Sequence, residues 1–195
     1  MIGRILHSSD YQRMPWKNGG GTTTEIWKAE SPAGEMLWRL SIADVASDGP
    51  FSEFPGIDRW IMVISGKGME LMIGGIGTKR LDCLYQPLPF PGDAATTCRL
   101  LGGPIQDFNF MIRRNFGRGL LQVWQLPSNE ASPSREDVAA VHVLSGSVEL
   151  ETNGTLELTR NDSWVTEEPR KVKVRALGEA VVAMISIDAT NMVAA

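Results

Sequence analysis

A glycine-rich stretch near the start of the chain, MPWKNGGGTTTEIW at positions 14–27, carries the first groups suited to ligand binding. Successive glycines allow positive φ and let a ligand approach backbone N–H groups that could form an anion-binding concavity. Polar groups surround this run, and the candidate contacts are Lys17, Asn18, Gly19, Gly20, Gly21, Thr22 and Glu25. The alternative is an ordinary loop with a solvated lysine and threonines that favour a strand. From these residues alone, the two interpretations are about equally well supported.

Two predicted strands place basic and amide side chains along one side. In WRLSIA, at 38–43, Arg39 and Ser41 alternate with apolar residues. In DFNFMIRR, at 107–114, Asn109, Met111 and Arg113 share one side. The planar guanidinium of an arginine binds a carboxylate through two hydrogen bonds. Two such arginines inside one β-barrel would therefore select a small dicarboxylate or an acidic amide. The alternative is that these side chains face solvent on half-buried strands.

The segment DGPFSEFPGIDRW, at 48–60, is a third candidate. Its Pro and Gly residues predict a rigid turn, in which Phe51 and Phe54 would be unusually exposed apolar side chains. Phe54 is interpreted as a pocket wall or as a plug at the barrel end. Asp58 and Arg59 either pair with each other or contact a ligand.

Metal and nucleophile chemistry have no signature in the sequence. His7 and His142 stand far apart and outside any cluster of ligating residues, so neither a metal nor another cofactor is expected. His142, among apolar neighbours, is predicted to be a hydrogen-bonded structural histidine. The chain has no Gly-x-Ser-x-Gly elbow, and Cys83 and Cys98 belong to no reactive pattern.

The net charge of −4, without a dense basic block, argues against nucleic acid or an anionic membrane as partner. The N-terminus lacks an apolar region with a small-residue cleavage site, and no stretch reaches about 18 uncharged apolar residues. A cytoplasmic location is predicted.

Alternating apolar and polar residues recur along the chain, with Gly, Pro, Asn or Asp between the runs, and predict a mostly β protein. The stretches VISGKGMEL at 63–71 and VLSGSVEL at 143–150 are alike, which indicates two related β units. PSNEASPS at 127–134 has linker composition. The expected domains are therefore residues 1–126, with the candidate pocket, and residues 127–195, with exchange of strands between them allowed.

The stretches MPWKNGGGTTTEIW, WRLSIADVASDGPFSEFPGIDRW, VISGKG and GPIQDFNFMIRR together resemble the HutD family, also called the HutD/Ves family. The resemblance covers roughly the first 115 residues and implies an all-β bicupin: two packed, jelly-roll-like cupin barrels with little helix and no metal. The family motifs correspond here to Trp16, Lys17, Asn18, Gly19, Gly20, Gly21, Thr22, Glu25, Arg39, Ser41, Phe54, Asp58, Arg59, Asp107, Asn109, Met111 and Arg113. Where typical members read DFNLM, this chain reads DFNFM, and Phe110 is expected to change packing more than binding.

The resemblance also implies a regulatory role in bacterial histidine utilisation, through binding of an acidic intermediate such as formylglutamate, formiminoglutamate or urocanate. The first hypothesis is thus a metal-free sensor with a small acidic ligand. The second is a cupin enzyme acting on the same ligands, with Glu25 as general base. The third is a protein-interaction module. A homodimer and a regulatory protein partner are both compatible with the sequence.

Overall fold

A computed structural model of the chain describes residues 3–16 and 19–189. Contacts between Cα atoms divide these residues into two compact units. The N-terminal unit comprises residues 12–116, and the C-terminal unit comprises residues 3–11 together with 117–189. Within the described ranges, no helix is long and apolar enough to cross a membrane.

Strands make up nearly all regular structure in the described residues. In chain order they are β1 (Arg4–Leu6), β2 (Gln12–Pro15), β3 (Gly21–Glu30), β4 (Met36–Val45), β5 (Gly49–Phe51), β6 (Ile57–Ser65), β7 (Met69–Ile73), β8 (Gly77–Leu81), β9 (Leu88–Pro91), β10 (Thr96–Leu100), β11 (Ile105–Arg113), β12 (Arg118–Leu126), β13 (Ala131–Pro133), β14 (Val138–Ser145), β15 (Ser147–Glu151), β16 (Thr155–Thr159), β17 (Ser163–Arg170), β18 (Lys173–Ala176) and β19 (Ala180–Asp188). One 3-10 turn, Ser8–Asp10, follows β1.

The N-terminal unit is a sandwich of two antiparallel sheets. One sheet has the order β2-β3-β4-β11-β6-β9 and the other β5-β10-β7-β8. The predicted alternation places residues such as Val63, Leu71 and Cys98, from both sheets, in one buried core. Hydrogen bonding among the described strands does not close around the unit, so it is a jelly-roll-like sandwich rather than a continuous barrel.

The C-terminal unit is built in the same way, from the sheets β1-β17-β14-β19-β12 and β13-β18-β15-β16. Strand β12 pairs along its whole length with β19, and β1 pairs with β17. The boundary between the units therefore lies at 116/117 rather than at the expected 126/127, and the first strand of the chain belongs to the second unit.

The two units repeat one strand order. The series β4-β11-β6-β9 corresponds to β12-β19-β14-β17, and β5-β10-β7-β8 corresponds to β13-β18-β15-β16. The two similar Ser-Gly stretches occupy matching turns, where Gly66 and Gly146 have φ of 95° and 77°. Only glycine adopts this conformation readily, which explains why both stretches keep it. The internal similarity of the sequence is thus a duplication of the fold.

His142 lies in the core of the C-terminal unit and makes the structural hydrogen bond that the sequence suggested. Its Nδ1 is 2.8 Å from Ser163 Oγ, which in turn is 2.8 Å from the Tyr11 hydroxyl. Tyr11 donates to the Asn161 carbonyl at 2.6 Å. Since this carbonyl only accepts, Ser163 donates to Tyr11 and His142 Nδ1 donates to Ser163. Burial lowers the pKa of His142 to about 4, so the ring is neutral.

Candidate ligand-binding site

A cavity of about 470 Å³ opens in the N-terminal unit and brings together side chains from all three sequence motifs. Seven of the predicted residues line it: Trp16, Arg39, Ser41, Phe54, Arg59, Asn109 and Met111. The alternative that the polar sides of β4 and β11 face solvent is wrong at Ser41, Asn109 and Met111, which are each at most 5% exposed.

The strand register explains how distant residues reach this cavity. Met111, on the central strand β11, pairs with Arg39 of β4 on one side and with Arg59 of β6 on the other. Neighbouring strands lie about 4.8 Å apart, so the backbones of the two arginines are separated by roughly 10 Å. Two residues earlier on β11, Asn109 pairs with Ser41 of β4. Side chains at alternate positions point to the same face, which gives the cavity two cationic corners.

Arg59 is buried with only part of its hydrogen-bonding capacity used. Its Nη2 donates to Asn109 Oδ1 at 2.9 Å and its Nη1 to the Ser52 carbonyl at 3.4 Å. Its Nε has no hydrogen-bond acceptor among the described residues. Three rings surround the guanidinium, with centroids at 4.8, 5.2 and 5.8 Å for Phe90, Phe54 and Phe51. Burial lowers the pKa of Arg59 to about 10, so it stays charged at neutral pH.

Asp107 supplies a buried carboxylate to the same cavity. The Asn109 amide donates to Asp107 Oδ1 and connects the carboxylate to Arg59. Burial raises the pKa of the Asp107 carboxyl to about 7, while Arg59 and the Asn109 hydrogen bond partly oppose that rise and Asp44 adds to it. The shift of each partner toward its neutral form shows that burial outweighs the attraction between them.

Arg39 forms the second cationic corner and is paired with Glu25. Its Nε lies 3.0 Å from Glu25 Oε2, although the N–H does not point at the carboxylate as in a hydrogen bond. Both side chains are largely buried. Glu25 does not line the cavity. Its position beside Arg39 indicates that Glu25 orients the Arg39 guanidinium and does not itself contact a ligand.

Trp16 forms part of the cavity wall and is held by local contacts. Its indole N–H donates to Thr23 Oγ1 at 2.7 Å, and its ring meets Phe51 edge-on at 6.4 Å. The glycine run supports this placement, because Trp16 N donates to the Gly21 carbonyl at 2.9 Å. A Cβ at Gly21 would lie 2.3 Å from the Asp44 carbonyl oxygen and 3.1 Å from the Trp16 ring.

Gly21→Ala is therefore expected to destabilise the protein by about 1–3 kcal/mol, since the added methyl group has no room. The matched control is Gly49→Ala, because a Cβ there would meet nothing within 4 Å. Urea unfolding of both variants checks this prediction. Equal stability of the two would show that the contact at Gly21 is not tight.

The remaining predicted contacts lie away from the cavity lining. They are Gly19, Gly20, Gly21, Thr22, Glu25, Asp58 and Arg113, while Lys17 and Asn18 lie outside the described residues. Asp58 pairs with Arg114 at 2.6 Å on the opposite side of β6 from Arg59. Arg113 Nε donates to the Met36 carbonyl at 2.9 Å. Gly21 and Thr22 begin β3, and Gly19 and Gly20 directly precede it.

Sequence reasoning left part of the lining out of the predicted site. These residues are Pro15, Thr23, Ala43, Pro50, Phe51, Ser52 and Asp107. Asp107 was named as a family-motif position but not as a ligand contact, although it stands two residues before Asn109 and therefore shares its face of β11. Pro50 and Ser52 carried no such signal, since their contribution depends on how the turn before β6 folds back over the sheet.

The C-terminal unit has apolar residues at the positions equivalent to Arg59, Asp107 and Asn109. Asp107 pairs with Val63 just before the Ser-Gly turn of its unit, and Val182 pairs with Val143 just before the matching turn. The same register makes Val138, Val182 and Met184 the counterparts of Arg59, Asp107 and Asn109. All three are buried in the hydrophobic core of that unit. The buried polar chain of Arg59, Asn109 and Asp107 is thus specific to the N-terminal unit.

No group of three or more His, Cys, Asp or Glu side chains that could hold a metal ion occurs within residues 3–16 and 19–189.

Structural comparison shows close agreement over the whole chain. A conserved protein of unknown function from Pseudomonas aeruginosa PAO1 matches with a TM-score of 0.87 and 31% identity, over 96% of this chain and 100% of that one. HutD from Pseudomonas fluorescens SBW25, solved in a formate condition, matches with a TM-score of 0.76 and 31% identity, over 95% and 99%. Oxalate decarboxylase from Bacillus subtilis, at 10% identity and a TM-score of 0.69, shares the fold alone. The predicted all-β, bicupin fold is confirmed.

Sequence comparison agrees. Protein Ves of Cronobacter sakazakii is 31% identical over 91% of this chain and 97% of its own length. An uncharacterised 21.2 kDa protein from the hutC 3′ region of Pseudomonas putida is 43% identical, over 61% of this chain and 63% of that protein. A model of the HutD family matches residues 8–184. The chain therefore belongs to the HutD family.

Proposed function

We propose that the N-terminal unit binds a small acidic intermediate of histidine utilisation, and that this binding serves regulation of the pathway. The observation that carries the proposal is the pair of guanidinium groups, Arg39 and Arg59, at two corners of one cavity. Arginine is suited to this task because its planar fork binds carboxylates and remains charged when buried. The relative from the hutC 3′ region supports the link to histidine utilisation.

The cavity suits a ligand with one or two carboxylates and a polar, uncharged end. Its volume of about 470 Å³ lies within the usual range for small-molecule sites and accommodates formylglutamate, which has about a dozen non-hydrogen atoms. The unused Nε of Arg59 offers a buried donor, and Ser41 and Asn109 add polar contacts beside it. Trp16 and Phe54 line the same cavity and would exclude water from the ion pairs.

The position of Glu25 favours ligand binding over the enzyme hypothesis. Glu25 is the general base of the enzyme hypothesis, yet it is paired with Arg39 and stands outside the lining. A general base must come within hydrogen-bond reach of the proton that it removes. We therefore assign Glu25 to the positioning of Arg39, which leaves ligand capture as the role that the geometry supports best.

Isothermal titration with formylglutamate, formiminoglutamate, urocanate, histidine and glutamate tests the proposal. We expect saturable binding of one acidic member of this panel. Arg39→Gln should weaken that binding about 10- to 100-fold, because a charge-assisted hydrogen bond contributes roughly 1.5–3 kcal/mol.

Arg113→Gln is the matched control, since Arg113 has the same side chain in the same unit but lies outside the cavity. It should bind like the wild type. The proposal fails if no acid in the panel binds, or if Arg113→Gln weakens binding as much as Arg39→Gln does.

A further inference from the structure

Asp107 places a second buried carboxylate in the cavity that is proposed to receive an acidic ligand. We propose that the cavity accepts a carboxylate ligand together with one proton, which Asp107 takes up from solvent as the ligand binds. This inference rests on the proposed function and adds to it a coupling between ligand affinity and pH. It makes Asp107 the residue that adjusts the charge of the cavity to that of its occupant.

The charged side chains at the cavity are balanced before a ligand arrives. Its two cations, Arg39 and Arg59, already face two carboxylates, Glu25 beside Arg39 and Asp107 beside Asn109. Among the described residues these charges cancel. An arriving carboxylate would leave an excess negative charge in a buried site, which is strongly unfavourable. Protonation of Asp107 removes that excess charge. The arriving carboxylate itself favours this protonation, because a second negative charge nearby raises the pKa of a carboxyl group.

The charged and titratable groups around Asp107 are compatible with uptake of a proton by its carboxylate. Arg59 of β6 attracts its charge, and Asp44 of β4 repels it. Cys98 of β10 faces the same region and stays a neutral thiol, because burial and the nearby Asp107 charge raise its pKa to about 12. Burial dominates at Asp107 itself and raises the carboxyl pKa to about 7. A small further change in local charge is therefore enough to decide its protonation near neutral pH.

The geometry supplies a place for the proton. Among the described residues, the carboxylate accepts its hydrogen bond at Oδ1, from the Asn109 amide. Asn109 Oδ1 in turn accepts a hydrogen bond from Arg59 Nη2 at 2.9 Å. Arg59 therefore fixes which end of the Asn109 amide faces Asp107. Oδ2 is the oxygen left to carry the proton. The neutral acid then donates an O–H···O hydrogen bond to a carboxylate oxygen of the ligand, while the unused Nε of Arg59 donates to the same ligand.

Proton uptake can be measured directly by titrating formylglutamate into the wild-type protein at pH 8. The titration is run in buffers of different ionisation enthalpy, phosphate and Tris, and the change in observed enthalpy gives the number of protons taken up. We expect about one proton per bound ligand at pH 8, falling toward zero at pH 5.5, where Asp107 is already protonated. The dissociation constant should rise about tenfold per pH unit above pH 7.5. The carboxyls of the ligand do not titrate in this range.

Two variants locate the proton. Asp107→Asn should bind with no proton uptake and with an affinity that does not change between pH 6 and 8.5. Asp82→Asn is the matched control, since Asp82 is an exposed carboxylate of the same unit that pairs with Arg80 and is not among the charges that act on Asp107. It should keep the uptake of the wild type. The wild-type pH series carries the test if Asp107→Asn does not fold.

The possible failures are distinguishable. Binding of formylglutamate without proton uptake in the wild type overturns the inference and leaves the proposed function standing. Uptake that persists in Asp107→Asn also overturns it, because another group would then hold the proton. If neither formylglutamate nor any other acid of the panel binds, the inference falls together with the proposed function.

Discussion

Replacement of Arg59 by methionine is expected to weaken binding of the acidic ligand by about 30-fold or more, since truncating one partner of a buried charge pair costs at least about 2 kcal/mol. Arg59 is the more buried of the two cavity arginines, at 5% exposure, and has an unused Nε donor. Methionine fills a similar volume without charge, so the change tests the guanidinium itself. Isothermal titration with the acid that binds the wild type measures the loss.

The matched experiment separates binding from folding. Arg59→Met alone leaves Asp107 without its opposite charge, which should also lower stability, because an unpaired buried charge is costly. The double variant Arg59→Met with Asp107→Asn removes both charges and should recover much of that stability. It should still fail to bind the ligand. Affinity within threefold of the wild type in either variant would contradict the assignment of Arg59 as the main carboxylate partner.

The second large effect concerns stability and pH in the absence of ligand. The pKa of the Asp107 carboxyl rises to about 7 in the folded protein, whereas an unfolded Asp titrates near its ordinary value of about 3.9. Between these values the folded state binds the additional proton, so the contribution of Asp107 to the free energy of unfolding falls as pH rises. From pH 5 to pH 8 this loss is on the order of 3 kcal/mol.

Asp107→Asn should remove this pH dependence. Urea unfolding of the wild type and the variant at several values between pH 5 and pH 8 measures it, and the difference between the two proteins is the quantity to plot. His142, whose pKa is lowered to about 4, makes an opposite contribution below about pH 6.5, and it cancels in the difference. A constant difference across this range would show that Asp107 is ionised throughout. That result would also weaken the case for proton uptake on ligand binding.

Much of the architecture could be predicted from the sequence, since alternation along single strands is a local property. In β4 the pattern MLWRLSIADV already places Arg39 and Ser41 on one side. The two Ser-Gly stretches indicated the duplication, because a turn with positive φ needs glycine at the same place in each unit. The expected location of the boundary was wrong, since linker composition in PSNEASPS does not reveal that β12 pairs with β19.

Sequence alone was therefore sufficient to identify the strands, the repeat, the family and the set of polar residues from which the site is drawn. Which members of that set meet depends on how the strands pair and pack. Arg59 and Arg113 are both strand arginines, yet the register brings Arg59 beside Asn109, while Arg113 ends at the Met36 carbonyl. Asp107 became a cavity group in the same way, through burial and through partners on other strands. Cross-strand register and burial depend on residues far apart in the chain, so the local pattern of one strand does not contain them.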